Sequence, residues 1–262
     1  MTFVESNGNT PLHVAVERLR EQANSEEYDP IVALLLQHNA AVNTVSYKEE
    51  SPLYVACMKG LTGVVKQLLH YKAEVNLTAS NSGKYPLLIA CERKLRDIAM
   101  MLLDRGADTN VSKDKQTPLK IAITNGDVLL VEQLLACGAD ANQMRNISDT
   151  ALHAAVRRKG LGDKDFKNIV QWLLKSGADA NALNDRGETP LYLACRQQIT
   201  KLPLTLCKHC SNVDQMPTYI RHIAIASIIF LSMVRPMLAR HHGGANKLCL
   251  LCCMLSPATI TS

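Results

Sequence analysis

The chain has 262 residues, 47% of them hydrophobic, and a mean hydropathy of −0.03, which excludes overall disorder and leaves enough apolar side chain for a core. The formal charge of +5 sits in the tail. From residue 196 onward seven Lys/Arg face one acid, Asp214, so residues 1–195 carry about −1 and bulk charge gives little reason to expect nucleic acid. Aromatics are only 4%, with one Trp, so a core must be built from Leu, Ile, Val and Ala.

The chain opens with MTFVESNGN, which has neither a basic segment nor an apolar run, so no secretory signal is expected. A phrase then returns six times: TPLHVA at Thr10, SPLYVA at Ser51, YPLLIA at Tyr85, TPLKIA at Thr117, TALHAA at Thr150 and TPLYLA at Thr189. The starts lie 41, 34, 32, 33 and 39 residues apart. A period near 33 residues is the mark of a helical solenoid, whose activity class is binding.

Residues 113–142, KDKQTPLKIAITNGDVLLVEQLLACGADAN, show one unit. Thr117 can cap a helix and Pro118 fits its first position. Leu119, Ile121, Ala122 and Ile123 make a short apolar first helix, which Asn125-Gly126-Asp127 breaks. Val128, Leu130, Val131, Leu134 and Leu135 recur at helical spacing on a second helix. Gly138 ends it as a left-handed cap, and a polar turn or short hairpin follows. Neither helix is long enough to stand alone, so units must stack.

These phrases resemble the ankyrin repeat family: TPLKIA with LLACGADAN, TALHAA with LLKSGADAN, and DRGETPLYLA. The resemblance covers at least residues 5–195. It implies an all-α ankyrin-repeat solenoid of helix pairs with β-turn fingers and a concave binding face.

Spacing then sets the domain limits. The last Ala of the phrase lies 16 residues before the helix-ending position in the regular units (Ala56 to Lys72, Ala90 to Gly106, Ala122 to Gly138). It takes 24 residues in the first unit, Ala15 to Asn39, and 22 in the fifth, Ala155 to Gly177. The extra residues, within REQANSEEYDP and around KGLGDKD, are expected in loops between the helices, on the rim opposite the fingers. The same 16-residue count carries Ala194 to Cys210 and completes a worn sixth unit. The expected array is 1–214, with repeats at about 5–43, 44–76, 77–110, 111–142, 143–181 and 182–214. Residues 215–262 are a degenerate seventh or capping repeat (His222 to Ala226, Met233 to Leu238, Gly244 to Asn246) or a divergent apolar tail.

The tail holds several features that look like chemistry. Cys207, Cys210, His222, His241, His242, Cys249, Cys252 and Cys253 have the residue types of zinc ligands. Cys207 and Cys210 also fall in repeat register, and Cys249–Cys253 sits in an apolar run, so packing thiols are expected and no metal. Ile223–Val234 is an apolar run of 12 residues, short of the roughly 20 that a membrane helix needs. Thr205-Leu206 and Cys210 partly match the elongin-recruiting pattern of a SOCS box, but Asp214 stands in its apolar slot and no Leu-Pro-Leu-Pro follows.

Nine cysteines, three of them (Cys57, Cys91, Cys195) just after the phrase's Ala, read as reduced packing thiols of a cytoplasmic or nuclear protein. Sequons at Asn76, Asn110 and Asn146 are expected to be chance. No catalytic motif is present, so neither an enzyme nor a cofactor is expected. The family resemblance assigns His13 and His153 to hydrogen bonds between turns.

By resemblance, partners meet the first-helix positions Glu17-Arg18, Met58-Lys59, Glu92-Arg93, Thr124-Asn125, Arg157-Arg158 and Arg196-Gln197. They also meet the fingers Tyr47-Lys48, Asn81-Ser82, Lys113-Asp114, Asn146-Ile147 and Asp185-Arg186. Arg18, Lys59, Arg93, Asn125, Arg157, Arg158, Arg196, Tyr47, Lys113 and Arg186 are the candidate binding residues. Arg157, Arg158 and Arg196 would grip an acidic segment of a protein partner. The expectation is a non-catalytic adaptor without a membrane span, monomeric unless the apolar tail self-associates. A substrate receptor for a cullin-type ubiquitin ligase and a fragment of a larger signalling protein are the other readings.

Overall fold

The structure, a computed structural model, describes residues 8–19, 29–78, 83–114, 116–143, 149–158 and 162–197. Those residues contain eleven α-helices and no strand, and the chain divides into two compact units after Asp140. The fold is an all-α repeat solenoid.

The first unit holds α1 (Pro11–Arg18), α2 (Pro30–Gln37), α3 (Pro52–Lys59), α4 (Thr62–His70), α5 (Pro86–Glu92), α6 (Arg96–Asp104), α7 (Pro118–Asn125) and α8 (Val128–Ala136). Odd and even helices pair within each repeat. First helices then pack on first helices and second on second along the unit. The second unit holds α9 (Ala151–Arg157), α10 (Asp163–Lys175) and α11 (Pro190–Arg196), with α9 packed on both others.

The repeated phrase starts the first helices of repeats two and four for the expected reason. Ser51 Oγ accepts from the Tyr54 amide at 3.1 Å, and Thr117 Oγ1 from the Lys120 amide at 3.2 Å, while Pro takes the first helical turn. Left-handed residues close the second helices: Gly106 at φ 78°, Gly138 at 84° and Gly177 at 81°. Asn39 and Lys72 hold the same slot at φ 60° and 62°. A Cβ at Gly106 or Gly138 would meet nothing within 4 Å, so the slot restrains backbone conformation, not space.

The core runs along the Leu, Ile, Val and Ala slots. Leu68, Leu102 and Leu134 are fully buried, as are Ala56, Ala90 and Ala122. At the start of the first unit the same register opens to solvent. Ile31 is 62% exposed, whereas its counterparts Val64, Ile98 and Leu130 are buried. Leu35, Val14 and Ala15 are half-exposed where their interior counterparts are buried.

The irregular repeats differ from the sequence reading in one respect. The first and second helices are joined by two or three residues in repeats two to four, residues 60–61, 93–95 and 126–127. In repeat one the join is 19–29, with 20–28 outside the described residues. In repeat five it is only 158–162, because α10 has 13 residues against nine in α4, α6 and α8. The insertion there is therefore shared between the link and an added helical turn. Asp165 in that turn suits the positive end of the helix dipole. The second half of repeat six, the tail after residue 197 and the features read in it all lie outside the described residues.

Candidate partner-binding surface

The fingers and first-helix ends are held by three recurring sets of ties. The first set, seen at four of the six first helices, joins the residue before the N-cap to the residue eight positions later. Asn9 Nδ2 donates to Glu17 Oε2 at 3.0 Å, and Lys84 pairs with Glu92 at 2.6 Å. In the second unit Asp149 pairs with Arg157 at 2.6 Å, and Glu188 with Arg196. Each clasp fixes a finger base to the end of its own first helix.

The second set reaches back one repeat. Lys59 Nζ donates to the carbonyls of Glu17 and Leu19, the latter at 2.6 Å. Arg93 donates to the Met58 carbonyl, and Asn125 Nδ2 to the Cys91 carbonyl at 2.9 Å. These carbonyls end α1, α3 and α5, where a helix leaves acceptors open, and a cation there also suits the dipole.

The third set is a ladder of asparagines beyond the second helices. Asn43 Oδ1 accepts from the Glu74 amide at 2.9 Å, Asn76 from Asp108 at 2.9 Å, and Asn110 from Asp140 at 2.8 Å. Within the second unit Asn142 accepts from Asp179 at 2.7 Å. Nδ2 of Asn76, Asn110 and Asn142 donates to the carbonyls of Gly106, Gly138 and Gly177. The sequon amides of Asn76 and Asn110 are thus engaged. Asn146 lies outside the described residues.

Two buried imidazoles add a fourth tie. His13 Nδ1 accepts from the Thr10 amide at 3.2 Å, and Nε2 meets the Glu50 carbonyl at 2.9 Å. His153 does the same between Thr150 at 3.3 Å and the Glu188 carbonyl at 2.9 Å. Both arrangements put the proton on Nε2 of a neutral ring. Burial lowers both pKa values from the ordinary histidine range, outweighing the opposing bond to the carbonyl.

The ten sequence-chosen residues divide accordingly. Arg18 is exposed at the end of α1. Lys59, Arg93 and Asn125 hold the preceding helix end. Arg157 and Arg196 share Glu188, whose side chain is 8% exposed, and Arg157 also holds Asp149. The acidic groups these two guanidiniums grip are thus the chain's own. Arg158 is half-buried beside them. Lys113 starts a finger closed by its amide to Gln116 O at 3.1 Å and the Gln116 amide to Lys113 O at 2.8 Å. Arg186 is exposed in the Asn184–Glu188 finger, where Asn184 Oδ1 accepts from the Arg186 and Glu188 amides. The fingers at Asn81-Ser82 and Asn146-Ile147 lie outside the described residues.

Tyr47 stands apart as an aromatic 74% exposed on a fixed loop. The Ser46 amide donates to Glu50 O at 3.0 Å and the Glu49 amide to Ser46 O at 2.8 Å. Gly8 lies under its ring, since a Cβ there would come within 2.6 Å of Tyr47 Cδ1.

Among the described residues no cluster of His, Cys, Asp or Glu could hold a metal ion, and no helix is long and apolar enough to cross a membrane. Cys57 and Cys91 are buried free thiols and Cys137 is exposed. Burial raises the Cys57 thiol pKa and, with Asp127 and Glu92 nearby, pushes that of Cys91 up to about 12, so neither is a ready nucleophile.

A family model for ankyrin repeats (3 copies) matches residues 21–113, 87–165, 119–218 and 152–247. Of curated proteins, a Transient receptor potential cation channel subfamily A member 1 homolog from Caenorhabditis elegans is 29% identical over 158 residues. That stretch is 59% of this chain and 12% of the channel homologue's length. Of solved structures, an ankyrin repeat domain from Acinetobacter baumannii matches with a TM-score of 0.65 and 26% identity, over 76% of this chain and 97% of that one. The human ASB11 ankyrin repeat domain matches with a TM-score of 0.53 and 28% identity, over 73% and 80%. A chain in the complex of a predatory endopeptidase from Bdellovibrio bacteriovorus with an immunity protein matches with a TM-score of 0.57 and 27% identity, over 76% and 97%.

Proposed function

Since the chain belongs to the ankyrin repeat family, whose repeats are a general protein–protein interaction module, we propose that it is a non-catalytic adaptor binding a protein partner through its fingers and first-helix ends. Tyr47 is the observation that carries this reading. An aromatic held out to solvent on a hydrogen-bonded finger has little side-chain entropy left to lose on binding and much apolar area to bury. Arg18, Lys59 and Arg93 add positive charge along the first unit, so the partner segment is acidic. In the second unit the partner meets Arg158, Arg186 and the outer faces of Arg157 and Arg196, whose pairing with Glu188 holds them in place for a second acceptor. Reduced thiols at Cys57, Cys91 and Cys137 suit a cytoplasmic location.

The test is capture of the partner from cells with the full chain, followed by titration of the purified pair. Tyr47→Ala together with Arg93→Glu is expected to weaken binding by about 30-fold or more. Unchanged affinity would remove this surface from the interface. Charge reversal at Arg157 or Arg196 also breaks the Glu188 clasp, so those variants need a folding control.

A further inference from the structure

The open end of the first unit is more apolar than the face it resembles inside the stack. In repeat two, Pro52, Val55, Ala56, Val64, Gln67 and Leu68 are all buried. The same register in repeat one holds Pro11, Val14, Ala15, Ile31, Leu34 and Leu35, and none of them is buried. Ile31 is 62% exposed and Leu34 56%. Gln67, the one polar member of the interior face, is replaced here by Leu34. A terminal repeat that met only water would carry polar residues in these positions. Instead Ile31, Leu34 and Leu35 make an apolar stripe along α2, spaced i, i+3 and i+4, beside Val14 and Ala15 of α1.

The chemistry of this face selects its occupant. None of the six residues is charged, and α2 contains no charged residue at all. Asp29 at its start already accepts from the Ile31 and Val32 amides, both at 2.9 Å. An acidic segment, which suits the cations of the first-helix ends, finds nothing here to pair with. A second copy of the same face matches it, being apolar, uncharged and made of two eight-residue helices. A twofold axis running across the helices near Leu34, at the middle of α2, sets α2 on α2 and α1 on α1. That continues the order in which α2 packs on α4 and α1 on α3. It also makes the facing helices antiparallel, so their dipoles oppose and Asp29 of one copy comes towards His38 of the other. We propose that the open end of repeat one is a homodimer interface, with Ile31, Leu34 and Leu35 at its centre. Six apolar residues a side are few beside the roughly 20–30 residues of a standard interface, so the dimer is weak and concentration-dependent. It goes beyond the adaptor reading, and gives one particle two partner surfaces.

Sedimentation velocity on the full chain, from about 1 to about 200 μM, tests this. The weight-average mass is expected to rise from 28.8 kDa towards twice that value. Leu34→Glu sets like charges across the axis and should weaken association by about tenfold or more. Leu34→Lys should do the same, whereas an equimolar mixture of the two should recover association, because the axis sets position 34 against itself. Leu129→Glu is the control: that side chain is 58% exposed on α8, and its replacement should change nothing. Should Leu34→Glu not fold, Ile31→Asp reads the same face from the first turn of α2, where an acid suits the helix dipole, and should weaken association as strongly. A single 28.8 kDa species at every concentration overturns the proposal. So does association that survives Leu34→Glu or Ile31→Asp, which would assign the contact to another surface such as the apolar run Ile223–Val234. A mixture that fails to associate overturns the twofold arrangement. Partner capture by the Tyr47 and Arg93 variants reads a different surface, so either idea can fail alone.

Discussion

Repeats two to four differ from repeats one and five in how their two helices are tied. In the regular repeats a two- or three-residue link does the work, with Gly60, Lys94 and Gly126 turning the chain at φ 72°, 60° and 75°. In the interrupted repeats the link is 19–29 or 158–162. Only there does a histidine fill the fourth position of the phrase, joining its own helix start to the next finger. The regular repeats carry Tyr54, Leu88 and Lys120 in that position. A longer link loosens the helix pair through loop entropy, and the imidazole restores order by a bond outside the link. Local and distant ties thus substitute for each other within one architecture.

The largest test of that comparison is a shared core slot. Leu68→Ala should cost about 2–5 kcal/mol, while Leu35→Ala, half-exposed in the first repeat, should cost clearly less by urea denaturation. Equal losses would mean that the opening of repeat one is energetically empty. Next comes the imidazole tie. His153→Leu strands the Thr150 amide and the Glu188 carbonyl and should cost about 1–3 kcal/mol, whereas Leu88 needs no such partner.

The same rings give a pH signature. Their folded pKa lies below the ordinary histidine value of about 6.5, so the unfolded chain takes up protons first as the pH falls. Stability is complete above that value and falls as the pH drops below it, by at most about 1.4 kcal/mol per pH unit for each ring. Replacing both histidines by Gln should flatten denaturation midpoints between pH 7 and 5, and an unaltered slope would assign the acid sensitivity elsewhere. Smaller still, eight residues inserted between Gly60 and Leu61 should cost about 1–2 kcal/mol in calorimetry. Smallest is the exposed pair of Arg96 with Asp127 at 2.7 Å, where Arg96→Ala should cost about 0.2–1 kcal/mol, and less at high salt.

The repeat phrase and its spacing made most of the fold readable in advance. Thr117, Pro118, Gly126 and Gly138 each act as their residue type suggests, because capping and left-handed turns are local chemistry. Two things were not legible. The added turn of α10 was counted as loop, although Asp163 and Asp165 after Gly162 are a helix-start signal. The clasps were also missed, so Arg157 and Arg196 looked free when Asp149 and Glu188 already hold them. The almost evenly spaced Asn43, Asn76, Asn110 and Asn142 were a visible signal. Their partners are backbone amides about thirty residues away, and a backbone donor leaves no mark in the sequence.

The rungs of the asparagine ladder each join one repeat to the next and no further. Under tension along the chain, such joints share the load in series, so the weakest yields first while its neighbours stay closed. Extension should then proceed by discrete lengths of about one repeat, and recoil should re-form each joint from the intact unit beside it.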